Sequence, residues 1–376
     1  MEEKQKTEQA ERGLGRLLVS VMEPREDLPR MPGFMAAVFI VLSAAAAAAS
    51  ARLASPIVPE EPLSPQNIAG LLASLPFLPL AVTLYAMTIL LWRRIGSLLC
   101  TPVSFGLMLL FGARFSEAAA LTLAILPMAY AFAVSLMAKE DRFRRVMTLA
   151  LFAAGALGIA GIVRIGVDFG SPEALRDAFM TAVPDMIGTI FRTAVSAPAS
   201  SETGAAAMLT SLSLYESARS LFVMLPAYFG AFCVVLAWGS DRIVRRLFAW
   251  LNCASVFTDE GADVSMPVSF AGVYAALFVL TLLTPASVFP MARVMLQSAL
   301  IVMALPCAAV GVRRIGERLS DSLFYMTREK LFIGMLLFVL FAAVGAYPFL
   351  LITSAVGTVS VLRRWLTAKR KNDGEE

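Results

Sequence analysis

Ten stretches of this chain contain no Asp, Glu, Lys or Arg: residues 34–51, 68–92, 95–113, 118–138, 146–163, 220–239, 265–289, 294–312, 331–346 and 348–362. Most approach the run of about 20 apolar residues that a helix needs to cross a bilayer. Hydrocarbon offers backbone N–H and C=O groups no water to bond, so such stretches must be helices or closed barrels, and their lengths exceed those of barrel strands. The chain is 58% apolar and 16% charged, whereas soluble domains carry roughly a quarter charged residues. The fold class expected is all-α, a polytopic transmembrane helix bundle of about ten spans.

The last two stretches need a separate argument. Residues 331–362 are uncharged throughout, and one helix of that length would run about 48 Å against a hydrocarbon core of about 30 Å. Gly345-Ala346-Tyr347-Pro348 sits at the middle. Proline ends a helix just before itself and glycine eases a turn, so the reading is two short helices joined by a hairpin. The loop charges agree. With ten spans, 25 of the 32 Lys and Arg residues fall on one side and 7 on the other. The positive-inside rule places the 25 in the cytoplasm, together with both termini. An odd number of spans would put Arg363, Arg364, Lys369, Arg370 and Lys371 outside. The localisation expected is the bacterial plasma (inner) membrane, multi-pass.

Residues 1–33 read as a charged cytoplasmic tail, 34–366 as the bundle and 367–376 as a second cytoplasmic tail. The six alanines from Ala44 to Ala49, with Ala49-Ser50-Ala51, resemble a signal-peptidase site. A leader of that length with mixed charge is unusual, which favours a retained helix over a cleaved one. Near 172–195, Leu175, Phe179, Val183, Met186 and Ile190 recur at helical spacing, with Arg176, Asp177, Asp185 and Arg192 off that face. This is an amphipathic segment expected on the outer surface. On the inner side, Arg242, Arg245 and Arg246 with Phe248 and Trp250 form a basic, aromatic interfacial segment.

Residue chemistry narrows the function. The chain has no histidine, which removes imidazole metal sites and His-dependent nucleophiles. Cys100, Cys233, Cys253 and Cys307 are far apart and form no CxxC pair, so no metal or redox motif is expected. There is no P-loop, HExxH or GxSxG sequence. No enzyme activity and no cofactor are expected. The net charge of +4 follows from basic loops facing anionic lipid and does not suggest nucleic acid. Uncharged spans also disfavour a carboxylate proton relay, since transporters keep such costly groups for function.

Other features of the spans carry two readings. Pro76, Pro79, Pro102, Pro127, Pro226 and Pro306 are ordinary membrane-helix composition or the bends of a cavity wall. Ala45 and Ala49, or Gly155, Gly158 and Gly161, are intramolecular packing positions or a partner face. Candidate binding residues are the polar groups at the expected outer mouth and the one deep glutamine: Arg114, Glu117, Arg164, Asp168, Tyr215, Arg219 and Gln297. For Gln297 a hydrogen bond between helices is the favoured reading over ligand binding.

Short fragments punctuate the helix order: Leu75-Pro76-Phe77-Leu78-Pro79-Leu80 before a helix ending Trp92-Arg93-Arg94, then Ile125-Leu126-Pro127, then Leu225-Pro226-Ala227 before Asp241-Arg242, then Leu296-Gln297-Ser298-Ala299 before Arg313-Arg314, and finally Leu362-Arg363-Arg364. Over roughly residues 68–366 this order resembles the YybS-like family of bacterial membrane proteins, which is itself similar to the substrate-capturing S components of energy-coupling-factor (ECF) transporters. The family's glutamine-glycine pair is met here by Gln297-Ser298. The resemblance implies a polytopic bundle with a small-molecule binding role; with no P-loop, the expected function is to bind or help translocate a small, mostly uncharged molecule through a cavity open to the outside, without its own ATPase. The partners expected are the lipid bilayer, a small-molecule ligand and a separate energising or envelope protein complex. The competing reading is a structural or scaffolding membrane protein acting through protein contacts.

Overall fold

Continuous apolar sequence leaves the backbone one way to satisfy its polar groups in hydrocarbon, and the chain takes it. The computed structural model describes residues 33–54, 70, 73–91, 96–138, 140–168, 222–251, 266–285, 290–322 and 346–373, with the single positions 170, 171, 173, 174, 176, 177, 180, 181 and 219. Among these residues the longer elements are all α-helices: α1 Gly33–Ala54, α2 Phe77–Leu91, α3 Gly96–Leu110, α4 Phe115–Met137, α5 Arg142–Asp168, α6 Leu225–Trp250, α7 Val268–Leu283, α8 Pro290–Ser322 and α9 Ala346–Asp373. No strand occurs among the described residues.

Six of them are long and apolar enough to cross a membrane, within α1, α4, α5, α6, α8 and α9; α2, α3 and α7 carry shorter apolar helices. The helices fall on nine of the ten expected stretches. The stretch at 331–346 lies outside the described residues except for its last position, and so do Gly345 of the expected hairpin and the N-terminal tail through residue 32. Helices α6, α8 and α9 run furthest past the ends of their stretches, α6 as far as Trp250. The 33 residues of α8 extend about 50 Å, and α9 continues to Asp373, seven residues into the expected C-terminal tail. Both therefore carry basic helical ends past the apolar span.

The chain divides into two compact units. The first holds α1–α5 and most of α6. In it α1 packs on α2, α2 on α4 and α4 on α5. Alanine makes the α1 face: Ala44, Ala47, Ala48 and Ala51 are buried. Small side chains let helices approach where no hydrophobic drive separates them from lipid, and hydroxyls close the remaining gaps. Ser43 Oγ donates to the Ala81 carbonyl at 2.9 Å. Thr83 Oγ1 lies 2.7 Å from the Pro79 carbonyl and 3.3 Å from that of Ser240. Met87, Met128, Phe132 and Leu149 fill the centre.

The α3–α4 connection is short because each end is capped. Gly112 takes φ +88°, a conformation glycine adopts without a Cβ clash. Ala113 N–H then reaches the Met108 carbonyl and Gly112 N–H that of Leu109, the paired bonds of a Schellman ending. Two residues later the Arg114 N–H donates to Glu117 Oε2 at 3.2 Å, which anchors the first turn of α4. Phe105 and Phe115 meet edge to face across the turn, with centroids 5.5 Å apart.

The second unit holds α7–α9 and the first turns of α6. Here α8 and α9 pack most extensively, and glycine is the reason. A Cβ at Gly311 would overlap the Thr353 carbonyl oxygen, and one at Gly357 would overlap that of Cys307. The two backbones touch, an arrangement in which Cα–H groups face carbonyls. The expected close-approach positions behave differently: a Cβ at Gly155, Gly158 or Gly161 would meet nothing within 4 Å. On α7, Tyr274 Oη and Ser354 Oγ lie 2.6 Å apart, and Met266, just before that helix, sits 3.7 Å from Cys307 Sγ. The helices α8 and α9 run parallel, with α7 antiparallel to both.

Candidate functional site

Charge gathers at two places in the described structure, and the two differ. The first lies in the N-terminal unit. Helix α5 begins with Arg142, Arg144 and Arg145, three cations at the end where the helix dipole is itself positive. The compensating group comes from α6. Asp241, wholly buried, accepts Nε–H donations from Arg142 at 2.9 Å and Arg245 at 3.2 Å on Oδ2, and from Arg145 at 2.9 Å on Oδ1. Arg145 Nη1 also donates to the Glu140 carbonyl at 3.1 Å. Burial is tolerable only because carboxylate and guanidiniums satisfy one another. The knot ties the α4–α5 turn to α6. Sequence reasoning singled out Arg242, Arg245 and Arg246 as a basic interfacial segment and left Asp241, at the end of the preceding helix, without a role. The signal for its role was a lone acid at the head of Asp-Arg-Ile-Val-Arg-Arg, one helical turn before Arg245.

The second is a cavity of about 360 Å³ in the C-terminal unit, within the range of small-molecule sites. Its apolar wall comes from Met266 and Val268 at the head of α7, Val310 on α8 and Val361 on α9. On α8 and α9 the cavity is also bordered by Arg313, Arg314, Ser360, Arg364 and Trp365. Glu317 pairs with both Arg313, at 2.8 Å, and Arg314. Lys369 Nζ stands 5.6 Å from the Trp365 ring centroid, which fixes the indole beside the cavity. Ser360 Oγ donates to the Gly357 carbonyl at 2.7 Å and keeps its lone pairs for an incoming donor.

None of the residues expected to bind a ligand borders this cavity. Arg114 and Glu117 are brought together, but as the start of α4 described above. Gln297 is half-buried on α8, and Arg219 is exposed. Arg164 and Asp168 belong to the last turns of α5, with side chains outside the described set, and Tyr215 lies outside the described residues. The six prolines read as a possible cavity wall are absent from the lining. The rim arginines were visible in sequence only as loop charges, because the register that brings the ends of α8 and α9 together depends on Gly311 and Gly357.

No family model, curated protein or solved structure matches this chain.

Proposed function

We propose that this chain is a multi-pass protein of the bacterial plasma membrane that binds a small molecule and helps move it across, relying on a separate protein for energy. The observation that carries this reading is the cavity between the ends of α7, α8 and α9, where an apolar wall faces converging polar groups. The resemblance of its sequence order to YybS-like proteins supports it, as does the lack of a P-loop.

The topology belongs to the same proposal. The ends meeting at the cavity are those that the charge distribution assigns to the cytoplasm. Because α8 and α9 run parallel, the proposed even span count needs one further crossing between them in the sequence. The uncharged stretch at 331–346 is suited to that crossing and gives ten spans with cytoplasmic termini.

The test is a melting screen of the purified full chain in neutral lipid nanodiscs against vitamins, nucleotides and central metabolites. At least one compound should raise the melting temperature, and Ala309→Phe, which fills the cavity, should cancel the rise. The absence of any stabilising compound would overturn the reading and leave the scaffolding alternative.

A further inference from the structure

We infer that the outward face of α6, over its last turns, holds the headgroup of an anionic phospholipid, with Arg242 and Arg246 on the phosphate and Trp250 against the glycerol region. A helix repeats its face after four residues and again after seven. Here α6 turns Asp241, Val244 and Phe248 inward, where all three are buried. The opposite face carries Arg242, Arg246 and Trp250 at intervals of four, all exposed, the indole by 73%. Two turns before Arg242 the same face carries Val235, which is 54% exposed. On a membrane span an outward valine faces acyl chains. The row therefore passes from Val235 to two guanidiniums and an indole without leaving the lipid-facing side of the helix.

Depth and chemistry agree with that direction. The uncharged stretch ends at residue 239, so Arg242 to Trp250 fall in the headgroup layer, where tryptophan is favoured. Arg242 and Arg246 stand about 6 Å apart along the axis, and guanidinium forks match phosphate oxygens two at a time. A net negative headgroup suits two such cations better than a choline, whose own positive charge opposes them. Ile243 and Leu247, half-buried beside the row, give an acyl chain apolar surface. Asp241 does not neutralise the row, because its oxygens are taken on the inward side by Arg142, Arg145 and Arg245. That hub also fixes the rotation of α6, which keeps Arg242 and Arg246 turned outward. Among the described residues no ion pair includes either of them. An acidic protein would suit the two arginines, but it would not account for the apolar Val235 on the same face.

The experiment uses the full chain in nanodiscs of phosphatidylcholine, with increasing shares of phosphatidylglycerol. Native mass spectrometry reads the lipid retained after release. Wild type is compared with Arg242→Gln, with Arg246→Gln and with Arg370→Gln, an exposed cation on α9. The expected result is saturable retention of phosphatidylglycerol in preference to phosphatidylcholine. Each α6 substitution should weaken it about tenfold through loss of a charge-assisted contact, and Arg370→Gln should leave it unchanged. Melting in pure phosphatidylcholine checks that the α6 variants are folded; if one of them folds poorly, the other decides the outcome by the same comparison. Equal retention of the two lipids overturns the inference. So does equal weakening by all three substitutions, which would mean diffuse surface charge. A protein that co-purifies with wild type in place of phosphatidylglycerol, and is lost in Arg242→Gln, also overturns it and assigns the row to a protein partner.

Discussion

The two units of this chain each gather arginines at a helix end, and they treat them in opposite ways. In the first, Arg142, Arg145 and Arg245 surround a carboxylate with no solvent exposure. In the second, Arg313, Arg314 and Arg364 border a cavity, with Glu317 more than a third exposed beside them. Buried charge is costly and persists only with its partners in place. Exposed pairs contribute little to stability. The comparison separates arginines that hold the fold from arginines that border a cavity.

The sharpest break is at Asp241. Replacing it with Asn leaves guanidiniums facing one another in a buried site, and the expected loss is about 3–5 kcal/mol, read as a lower melting temperature and poorer recovery of folded protein. Next is Gly311→Ala, which drives a methyl into the Thr353 carbonyl. The backbones of α8 and α9 must separate, at about 1–3 kcal/mol. By contrast, Gly158→Ala meets nothing within 4 Å and is expected to be neutral or to stabilise by up to about 1 kcal/mol through helix propensity. Equal destabilisation by the two alanines would contradict the assigned α8–α9 contact. Glu117→Ala removes the acceptor at the start of α4 and should cost about 1 kcal/mol. The smallest effect on stability belongs to Arg314→Gln. Its partner Glu317 is substantially exposed, so the melting temperature should fall by less than about 1 kcal/mol corresponds to.

The sequence made the helices legible because absence of charge over a span is a signal that packing does not alter. It also marked most of their boundaries, since Arg and Lys collect where helices leave the apolar layer. Two things stayed hidden. Asp241 lies two residues beyond an uncharged stretch, where nothing in the local sequence assigns it a role; only the approach of the α5 arginines, from 96 and 99 positions away in sequence, turns it into a buried hub. The α8–α9 contact was hidden for a different reason. Single glycines at 311 and 357 look weaker than the Gly155, Gly158 and Gly161 series, yet it is the isolated pair that meets another backbone. Glycine density in one helix says little about contact unless the partner's face is known. The cavity depends on that contact, so its rim was legible as charge and not as a site.

One measurement addresses the contrast directly: melting of the full chain in phosphatidylcholine nanodiscs for wild type, Asp241→Asn and Arg364→Gln. The account predicts that Asp241→Asn melts well below wild type. It predicts that Arg364→Gln melts close to wild type. An Asp241→Asn protein as stable as wild type, or an Arg364→Gln protein that falls as far as Asp241→Asn, would contradict it.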